Sequence, residues 1–281
     1  MLHFGISTHL FHDVPLSRHH LAHIAAHGFQ TIELFATRSH FDYRDADALA
    51  ALAEWLSELR LGLHSVHAPI IERYEKGRWV GSLSNASTDE TRRRAAVAEA
   101  EAALSIAARI PFQYLVVHLG MPDSEKVPPG DNHPDAARRS IEEIAALASR
   151  VNVRVALEVI PNRLSGAAAL AQLIEDRLDE LDVGVCLDYG HAHLMGDLGD
   201  AIEALSGHLW TTHVHDNRGT RDDHLTPYAG AIDWDAAMTH TQKIGYDGVL
   251  MFEVAGTGAP VDVLKHCAKA RARLERTLVT F

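Results

Sequence analysis

Short runs of β-branched and aromatic residues alternate along this chain with longer amphipathic stretches rich in alanine, and the alternation repeats eight times. Such alternation is typical of β-α-β units on a parallel sheet. The predicted strands are His3–Thr8, Thr31–Phe35, Gly62–His67, Tyr114–Leu119, Arg154–Ile160, Gly184–Tyr189, Trp210–His215 and Gly248–Val254. Examples of the predicted helices are Asp47–Arg60, Asp89–Arg109, Pro134–Arg150, Ala167–Arg177, Asp200–Leu205, Trp234–Ile244 and Val261–Leu278.

The alternation continues without a break in composition. No Gly/Ser-rich linker divides the 281 residues, and a (β/α)₈ barrel reaches ~250 residues as one unit. The first predicted strand is not followed by the GxGxxG turn of dinucleotide-binding sheets. The sequence therefore predicts one α/β domain over residues 1–281, folded as a closed (β/α)₈ TIM barrel. Ser87, followed by Glu90, is predicted to begin one of its helices.

Acidic residues outnumber basic ones. The chain has 26 Lys and Arg against 38 Asp and Glu, a formal net charge of −12, and no long basic run, so a nucleic-acid partner is disfavoured although not excluded. No uncharged stretch reaches the ~18 residues of a membrane helix, and the first residues do not resemble a signal peptide. We therefore expect a cytoplasmic protein without a membrane partner, in which Cys186 and Cys267 are reduced thiols.

Histidine is abundant, with 20 residues, and many of these lie with carboxylates at the predicted strand ends. Barrel enzymes carry their active sites at the C-terminal ends of the strands. Each such residue alone is compatible with a hydrogen-bonded structural role, but their convergence on one mouth predicts a metal site. At six strand ends and in the loop after the seventh strand, the metal-ligating types are His64, His67, His118, Glu158, Asp188, His191, His193, His213, His215, Asp216, Asp222, His224 and Glu253.

Two of the carboxylates have apolar neighbours on both sides, Glu158 in ALEVI and Glu253 in MFEV. Burying such a carboxylate unpaired is costly, so each needs a cation or a proton. A divalent metal ion supplies the cation. The mixture of imidazole and carboxylate ligands favours Zn²⁺ or Mn²⁺.

The long loop after the third predicted strand has a basic and aromatic composition. Such a loop could hold a sugar by stacking and hydrogen bonds, contact a DNA backbone, or form a solvated lid. The sequence leaves these three alternatives open. The residues concerned are Arg73, Tyr74, Lys76, Arg78 and Trp79.

Seven motifs of the chain resemble the xylose-isomerase-like TIM-barrel superfamily, which contains sugar isomerases and epimerases together with the endonuclease IV family. The resemblance extends over essentially the whole chain. The segments GISTHLFHD, IELFATRSHFDY and EKGRWVGSLSNAS resemble the sugar enzymes rather than the nuclease. The seven motifs are HAP at His67, VVHLG at His118, LEVIPN at Glu158, LDYGHAH at Asp188 and His191, HVHDN at His213, DDHL at Asp222 and His224, and FEV at Glu253.

The resemblance implies two nested ligand sets. The single-metal sugar epimerases use a Glu, Asp, His and Glu set, which corresponds here to Glu158, Asp188, His213 and Glu253. The trinuclear zinc site of endonuclease IV has its first carboxylate bridging two metals, and its additional ligands correspond to His67, His118, His191, Asp222 and His224. All nine positions hold metal-ligating residue types, so one to three divalent ions are expected.

The predicted function is that of a metal-dependent isomerase or epimerase acting on a sugar or sugar phosphate. The divalent ion stabilises an enediolate, and Glu158 and Glu253 act as the acid and base pair. The predicted substrate-binding residues are His9, Glu33 and Arg218, the last by resemblance.

Two other functions stay open from the sequence. The first is an endonuclease IV-like zinc phosphodiesterase acting on abasic DNA, in which Glu158 bridges two metals. The complete set of nine ligands favours this nuclease, whereas the acidic charge balance and the amino-terminal segments favour the sugar enzyme. The second is a catalytically idle metal-binding barrel, and the presence of both Glu158 and Glu253 argues against it.

Overall fold

The computed structural model describes residues 3–255 and 258–279, and eight of its strands close into one barrel. In chain order the strands are β1 (His3–Ser7), β2 (Thr31–Phe35), β3 (Gly62–His67), β4 (Ile71–Glu75), β5 (Arg78–Ser82), β6 (Tyr114–Val117), β7 (Arg154–Glu158), β8 (Val183–Asp188), β9 (Leu209–Val214) and β10 (Val249–Phe252). The barrel has the order β1-β10-β9-β8-β7-β6-β3-β2. The predicted (β/α)₈ TIM barrel is confirmed.

Helices connect the barrel strands and pack around them. They are α1 (Arg18–Ala26), α2 (Ala46–Leu59), α3 (Glu90–Leu104), α4 (Pro134–Ser149), α5 (Ala167–Leu173), α6 (Tyr189–Met195), α7 (Leu198–Ala204), α8 (Trp234–Lys243) and α9 (Pro260–Val279). Cys186 and Cys267 are free thiols in the buried interior. Within the described ranges, no helix combines the length and apolarity that crossing a membrane requires.

Helix α3 begins later than the sequence indicated. Asp89 caps it, because its Oδ1 accepts hydrogen bonds from the backbone N–H of Thr91 at 2.9 Å and of Arg92 at 3.3 Å. Ser87 instead accepts a bond from the N–H of Asp89. The assignment of Ser87 as the cap is therefore wrong. A carboxylate beside the first turn also gains from the positive end of the helix dipole, which a hydroxyl does not.

The basic and aromatic loop after β3 contains a β-hairpin rather than only a loop. Strands β4 and β5 pair antiparallel, with Tyr74 opposite Trp79. Lys76 and Gly77 form the turn, and both have positive φ (51° and 76°). Two central residues with positive φ are characteristic of the tight turns that join twisted hairpin strands. The hairpin stands beside the C-terminal mouth of the barrel, since it directly follows His67.

Helix α6 starts where β8 ends, without an intervening loop. Asp188 is the last residue of β8, and its Oδ1 accepts a hydrogen bond from the N–H of His191 at 2.7 Å. The carboxylate therefore caps α6, while its Oδ2 lies 3.0 Å from Nε2 of His215. This abrupt transition places His191 on the first turn of a helix directly over the mouth of the barrel.

Candidate metal centre

All nine predicted metal ligands meet at the C-terminal mouth of the barrel, together with His215. Their donor atoms form three groups, and within each group these atoms all lie within 4.8 Å of one another. The central group is Glu158, Asp188, His213 and Glu253. The second group is His67, His118 and Glu158, and the third is His191, His215, Asp222 and His224.

The central group surrounds one nitrogen of His213. Its Nδ1 lies 3.2 Å from Glu158 Oε1, 3.4 Å from Glu253 Oε2 and 4.0 Å from Asp188 Oδ2. All four side chains are buried. They come from the ends of β7, β8, β9 and β10, four neighbouring strands of the barrel.

Glu158 belongs to two groups at once. Its Oε2 lies 3.1 Å from Nε2 of His67 and 3.1 Å from Nε2 of His118, while its Oε1 faces His213. One carboxylate therefore presents one oxygen to each of two groups. This is the arrangement that a carboxylate bridging two cations requires.

The third group is built around Asp222. Its Oδ2 lies 3.1 Å from His191 Nε2 and 3.0 Å from His224 Nε2. His215 stacks on His224 with ring centroids 4.0 Å apart, and its Nε2 lies 2.9 Å from Asp188 Oδ1. The sequence presented His215 only as a strand-end histidine and not as a ligand. The spacing His-Val-His was the available signal, because residues two apart point to the same side of a strand.

The chemistry of the central group fits a divalent cation. Each ion pair that the described residues give Glu158, Asp188 and Glu253 is with a histidine, and none is with Lys or Arg. Glu158 Oε1 and His213 Nδ1 are buried and have no hydrogen-bond partner in the described part of the chain. Buried polar atoms are nearly always satisfied, and buried carboxylates need a compensating cation. A mixed imidazole and carboxylate set suits Zn²⁺ or Mn²⁺.

The protonation of the ligands is set by their mutual contacts. Burial lowers the pKa of His67, but the hydrogen bond and charge of Glu158 outweigh burial and raise it to about 9. Burial also lowers the pKa of His224, but the charge and hydrogen bond of Asp222 outweigh burial and raise it to about 9. Burial raises the pKa of Glu158, but His213 and His118 hold it well below its usual range. The carboxylate is thus ionised, and a metal ion would displace protons from the imidazoles.

Glu33 lies behind His213 and away from the mouth. His213 Nε2 is 3.0 Å from Glu33 Oε1, and the Ser65 hydroxyl donates a hydrogen bond to Glu33 Oε2 at 2.8 Å. Glu33 is buried and does not line the cavity described next. His213 therefore lies between Glu33 and the mouth, and substrate binding by Glu33 stays a prediction.

A cavity of about 280 Å³, here called the inner cavity, opens directly onto the ligands. Glu158 and Glu253 line it, whereas Asp188 and His213 do not. The described residues that line it include no Lys or Arg. Its apolar wall is formed in part by the hairpin and by the segment after β6, with Phe35, Ile70, Ile71, Trp79, Leu83 and Met121.

The two remaining substrate-binding candidates lie in different places. His9 lines the inner cavity, and its buried Nδ1 has no hydrogen-bond partner among the described residues. Burial and the neighbouring His224 keep the pKa of His9 well below its ordinary value, so the ring is neutral. Arg218 is instead exposed, lies 3.6 Å from Asp223, and is not among the cavity-lining residues. Its partner Asp223 stands between Asp222 and His224 in the sequence, so Arg218 pairs with the loop that carries part of the third group.

Three other strand-end candidates have structural roles or lie outside the groups. Asp216 accepts hydrogen bonds from the backbone N–H groups of Gly230 and Ile232 and from the indole of Trp234. His64 lies 3.1 Å from Thr211 Oγ1, on the opposite side of the barrel interior from the mouth. His193 lies on α6 and belongs to none of the three groups.

Comparison with known proteins places the chain in a family. The family described as "Xylose isomerase-like TIM barrel" matches residues 21–274. The uncharacterised protein MJ1311 of Methanocaldococcus jannaschii is 27% identical over 264 residues, which cover 89% of this chain and 83% of that protein.

Two solved structures share the fold. A D-tagatose 3-epimerase-like protein has a TM-score of 0.75 and 22% identity, covering 99% of this chain and 98% of its own. The zinc-bound IOLI protein has a TM-score of 0.78 and 17% identity, covering 97% and 98%. Since the family match extends over most of the barrel, the chain belongs to the xylose isomerase-like TIM barrel family.

Proposed function

We propose that this protein is a metal-dependent isomerase or epimerase of sugars, with Glu158 and Glu253 as its acid and base. The observation that carries the proposal is which of the four central residues line the inner cavity. Only Glu158 and Glu253 line the inner cavity, while Asp188 and His213 lie behind them. Proton transfer at a metal centre requires an acid and a base that reach the substrate, here the two carboxylates. The other two residues only complete the central group.

The positions of the two carboxylates suit proton transfer on opposite faces of one carbon atom. Glu158 ends β7 and Glu253 follows β10, three places apart in a ring of eight strands. They flank His213 Nδ1 at 3.2 and 3.4 Å. They therefore approach a substrate in the inner cavity from different directions.

A divalent ion bound to the central group supplies a Lewis acid that polarises a carbonyl oxygen and makes the adjacent C–H bond more acidic. Glu158, ionised through its contacts with His213 and His118, takes the proton from that carbon. Glu253 returns a proton to the opposite face, so that one carboxyl group gains the proton that the other loses. In the reverse direction the two residues exchange roles.

The shape and charge of the inner cavity support a small substrate. A volume of about 280 Å³ with an apolar hairpin wall suits one sugar ring rather than a duplex. The likeness to a D-tagatose 3-epimerase-like protein supports the same class of reaction, and the likeness to the zinc-bound IOLI protein supports the use of zinc. The absence of Lys and Arg among the described lining residues favours an unphosphorylated sugar. A cytoplasmic location stays a prediction from the sequence.

A second candidate function is that of a multinuclear phosphodiesterase acting on abasic DNA. The second and third groups favour it, because Glu158 presents one oxygen to each of two groups. The charge of the inner cavity disfavours it, because a phosphodiester backbone is usually bound by Lys and Arg.

The test is a panel of ketoses and their phosphates, assayed beside an abasic-site duplex with the metal-loaded protein. We expect conversion of at least one free ketose and no cleavage of the duplex. Elemental analysis of the same preparation should find at least one zinc or manganese ion per chain. A preparation without metal that keeps full activity would contradict the proposal.

A further inference from the structure

A second and larger space adjoins the inner cavity on its solvent side. This outer chamber has a volume of about 630 Å³. It shares His9, Trp79, Glu125 and other lining residues with the inner cavity, so the two spaces meet directly. The residues that line the outer chamber alone include His12, Ser124, Pro161, Leu194, Thr220 and Arg221.

A column of aromatic rings forms a wall common to both spaces. His9 lies beside His224 of the third group, with ring centroids 5.1 Å apart. His12 stacks on His9 at 4.9 Å, and Trp79 stacks on His12 at 4.8 Å. The column therefore runs from the metal ligands outward to the hairpin. Trp79, its outermost ring, lines both the inner cavity and the outer chamber.

Trp79 is held rigidly yet left open to solvent. Tyr74, its partner across the hairpin, packs edge-on against it at 4.6 Å, and Phe35 does so at 6.2 Å. The side chain nevertheless stays 44% exposed, one of three large apolar residues so exposed in the described ranges. A fixed, partly exposed indole beside polar groups is a common surface for recognising a flat ligand that has an apolar face and a polar rim, as a sugar ring has.

The charges of the outer chamber limit what it can hold. Arg221 is the one Lys or Arg among its described lining residues, and its guanidinium already pairs with Asp223 at 2.7 Å. Glu125 and Asp222 add negative charge to the same walls. An anionic group such as a phosphate is disfavoured there, whereas a neutral group rich in hydroxyls is not.

We propose that the outer chamber binds a second, uncharged sugar ring, stacked on Trp79, and that the substrate is a ketose joined to such a ring rather than a free monosaccharide. This proposal rests on the proposed function for the reacting ketose in the inner cavity. The second ring is a binding group only, and its bond to the ketose is neither formed nor broken.

The experiment compares two ketoses that share the reacting end. D-Fructose is a single ring, and isomaltulose is the same ketose carrying a glucosyl group at O6. Calorimetry and turnover are measured for both with the protein as purified, carrying its metal. Trp79→Ala removes the stacking surface, Trp79→Phe restores an aromatic face, and Arg78→Ala alters the same hairpin without touching either space.

We expect the parent protein to bind isomaltulose more tightly than D-fructose. Trp79→Ala should weaken isomaltulose binding about three- to tenfold, as loss of one aromatic contact implies. It should weaken D-fructose binding by a smaller factor, because D-fructose meets Trp79 only as part of the inner cavity wall. Trp79→Phe should recover most of the loss, and Arg78→Ala should resemble the parent.

Several results would overturn the proposal. The proposal is wrong if isomaltulose does not bind, or if the parent binds both sugars with equal affinity. It is also wrong if Trp79→Ala lowers the affinity for both sugars by the same factor. Failure of the proposed function gives a different pattern. In that case isomaltulose binds in a manner that depends on Trp79, yet neither sugar is converted.

Discussion

Glu33 Oε2 lies 3.1 Å from His213 Nε2 in a hydrogen bond, on the opposite side of the imidazole from the nitrogen that faces Glu158 and Glu253. A buried carboxylate at this distance keeps the proton of a neutral imidazole on Nε2 and leaves the lone pair of Nδ1 toward the central group. Glu33 thus positions His213, a candidate metal ligand, from within the barrel.

Replacing Glu33 by Gln keeps the shape of the side chain and removes its charge. We expect a 10- to 100-fold lower affinity for Mn²⁺ or Zn²⁺, because outer carboxylates make histidine ligands more basic and fix their orientation. Competition with a chelator gives the dissociation constant directly. Ser65→Ala, which removes only the hydroxyl bond to Glu33, should have a smaller effect. An unchanged metal affinity in Glu33→Gln would show that His213 needs no such partner.

The two cavity-facing carboxylates carry the proposed chemistry. Glu158→Gln and Glu253→Gln should each lower turnover of a ketose at least ~10²-fold, the lower end for loss of a general acid or base. Glu125→Gln is the matched control, since Glu125 lines the same cavity but belongs to none of the three groups. Metal content is measured for each variant. Parent-like turnover in both variants would place the catalytic residues elsewhere.

The second group distinguishes the two candidate functions. If the protein is a sugar enzyme that works through the central group, the double variant His67→Ala, His118→Ala should still convert a ketose. It should lose at most the ion of the second group. In a phosphodiesterase the same double change should remove that ion and DNA cleavage together. His193→Ala, at the same mouth but outside the groups, serves as the control. Loss of all ketose conversion with the central ion retained would contradict the first alternative.

Burial of a histidine outside the three metal groups gives a stability prediction. His40 is buried, and burial together with the nearby His20 and His12 lowers its pKa to about 4, although its Nδ1–H donates to the Val14 carbonyl at 2.7 Å. The folded chain therefore binds this proton less readily than the unfolded chain, whose histidine titrates near 6.5. Stability is retained above pH 6.5 and lost as the pH falls toward 4.

Between pH 7 and pH 5 we expect this single group to lower the free energy of unfolding by about 2 kcal/mol. Urea unfolding at both pH values, for the parent and for His40→Gln, measures the difference. The variant should lose less stability on acidification, whereas His266→Gln, at an exposed position on α9, should match the parent. An equal pH dependence in His40→Gln and the parent would exclude His40 as a cause.

The ligands at strand ends were predictable because barrel geometry brings those ends together. Glu158, Asp188 and His213 end or lie near the ends of their strands, so identifying the strands was enough to place them on one mouth. His215 needed only the further step of following alternate residues beyond the end of β9.

The contacts between distant segments were not predictable from sequence patterns. The bond between Glu33 and His213 joins residues 180 positions apart, on β2 and β9, two strands that only the closed barrel brings to opposite sides of one interior. The position of Arg218 outside the inner cavity was not predictable for a related reason. The path of its loop depends on hydrogen bonds of Asp216 and Asn217 to partners that no local pattern reveals.

Proton exchange at carbon is the most direct measurement of the proposed chemistry. The metal-loaded protein is incubated with D-fructose, D-tagatose and isomaltulose in D₂O, together with an abasic-site duplex in a parallel reaction, and each sugar is followed by NMR. We predict that deuterium enters the carbon next to the carbonyl of at least one ketose as its epimer or isomer forms, and that Glu158→Gln abolishes this exchange. Cleavage of the duplex by the parent protein, with no deuterium on carbon in any ketose, would contradict the assignment as a sugar isomerase or epimerase.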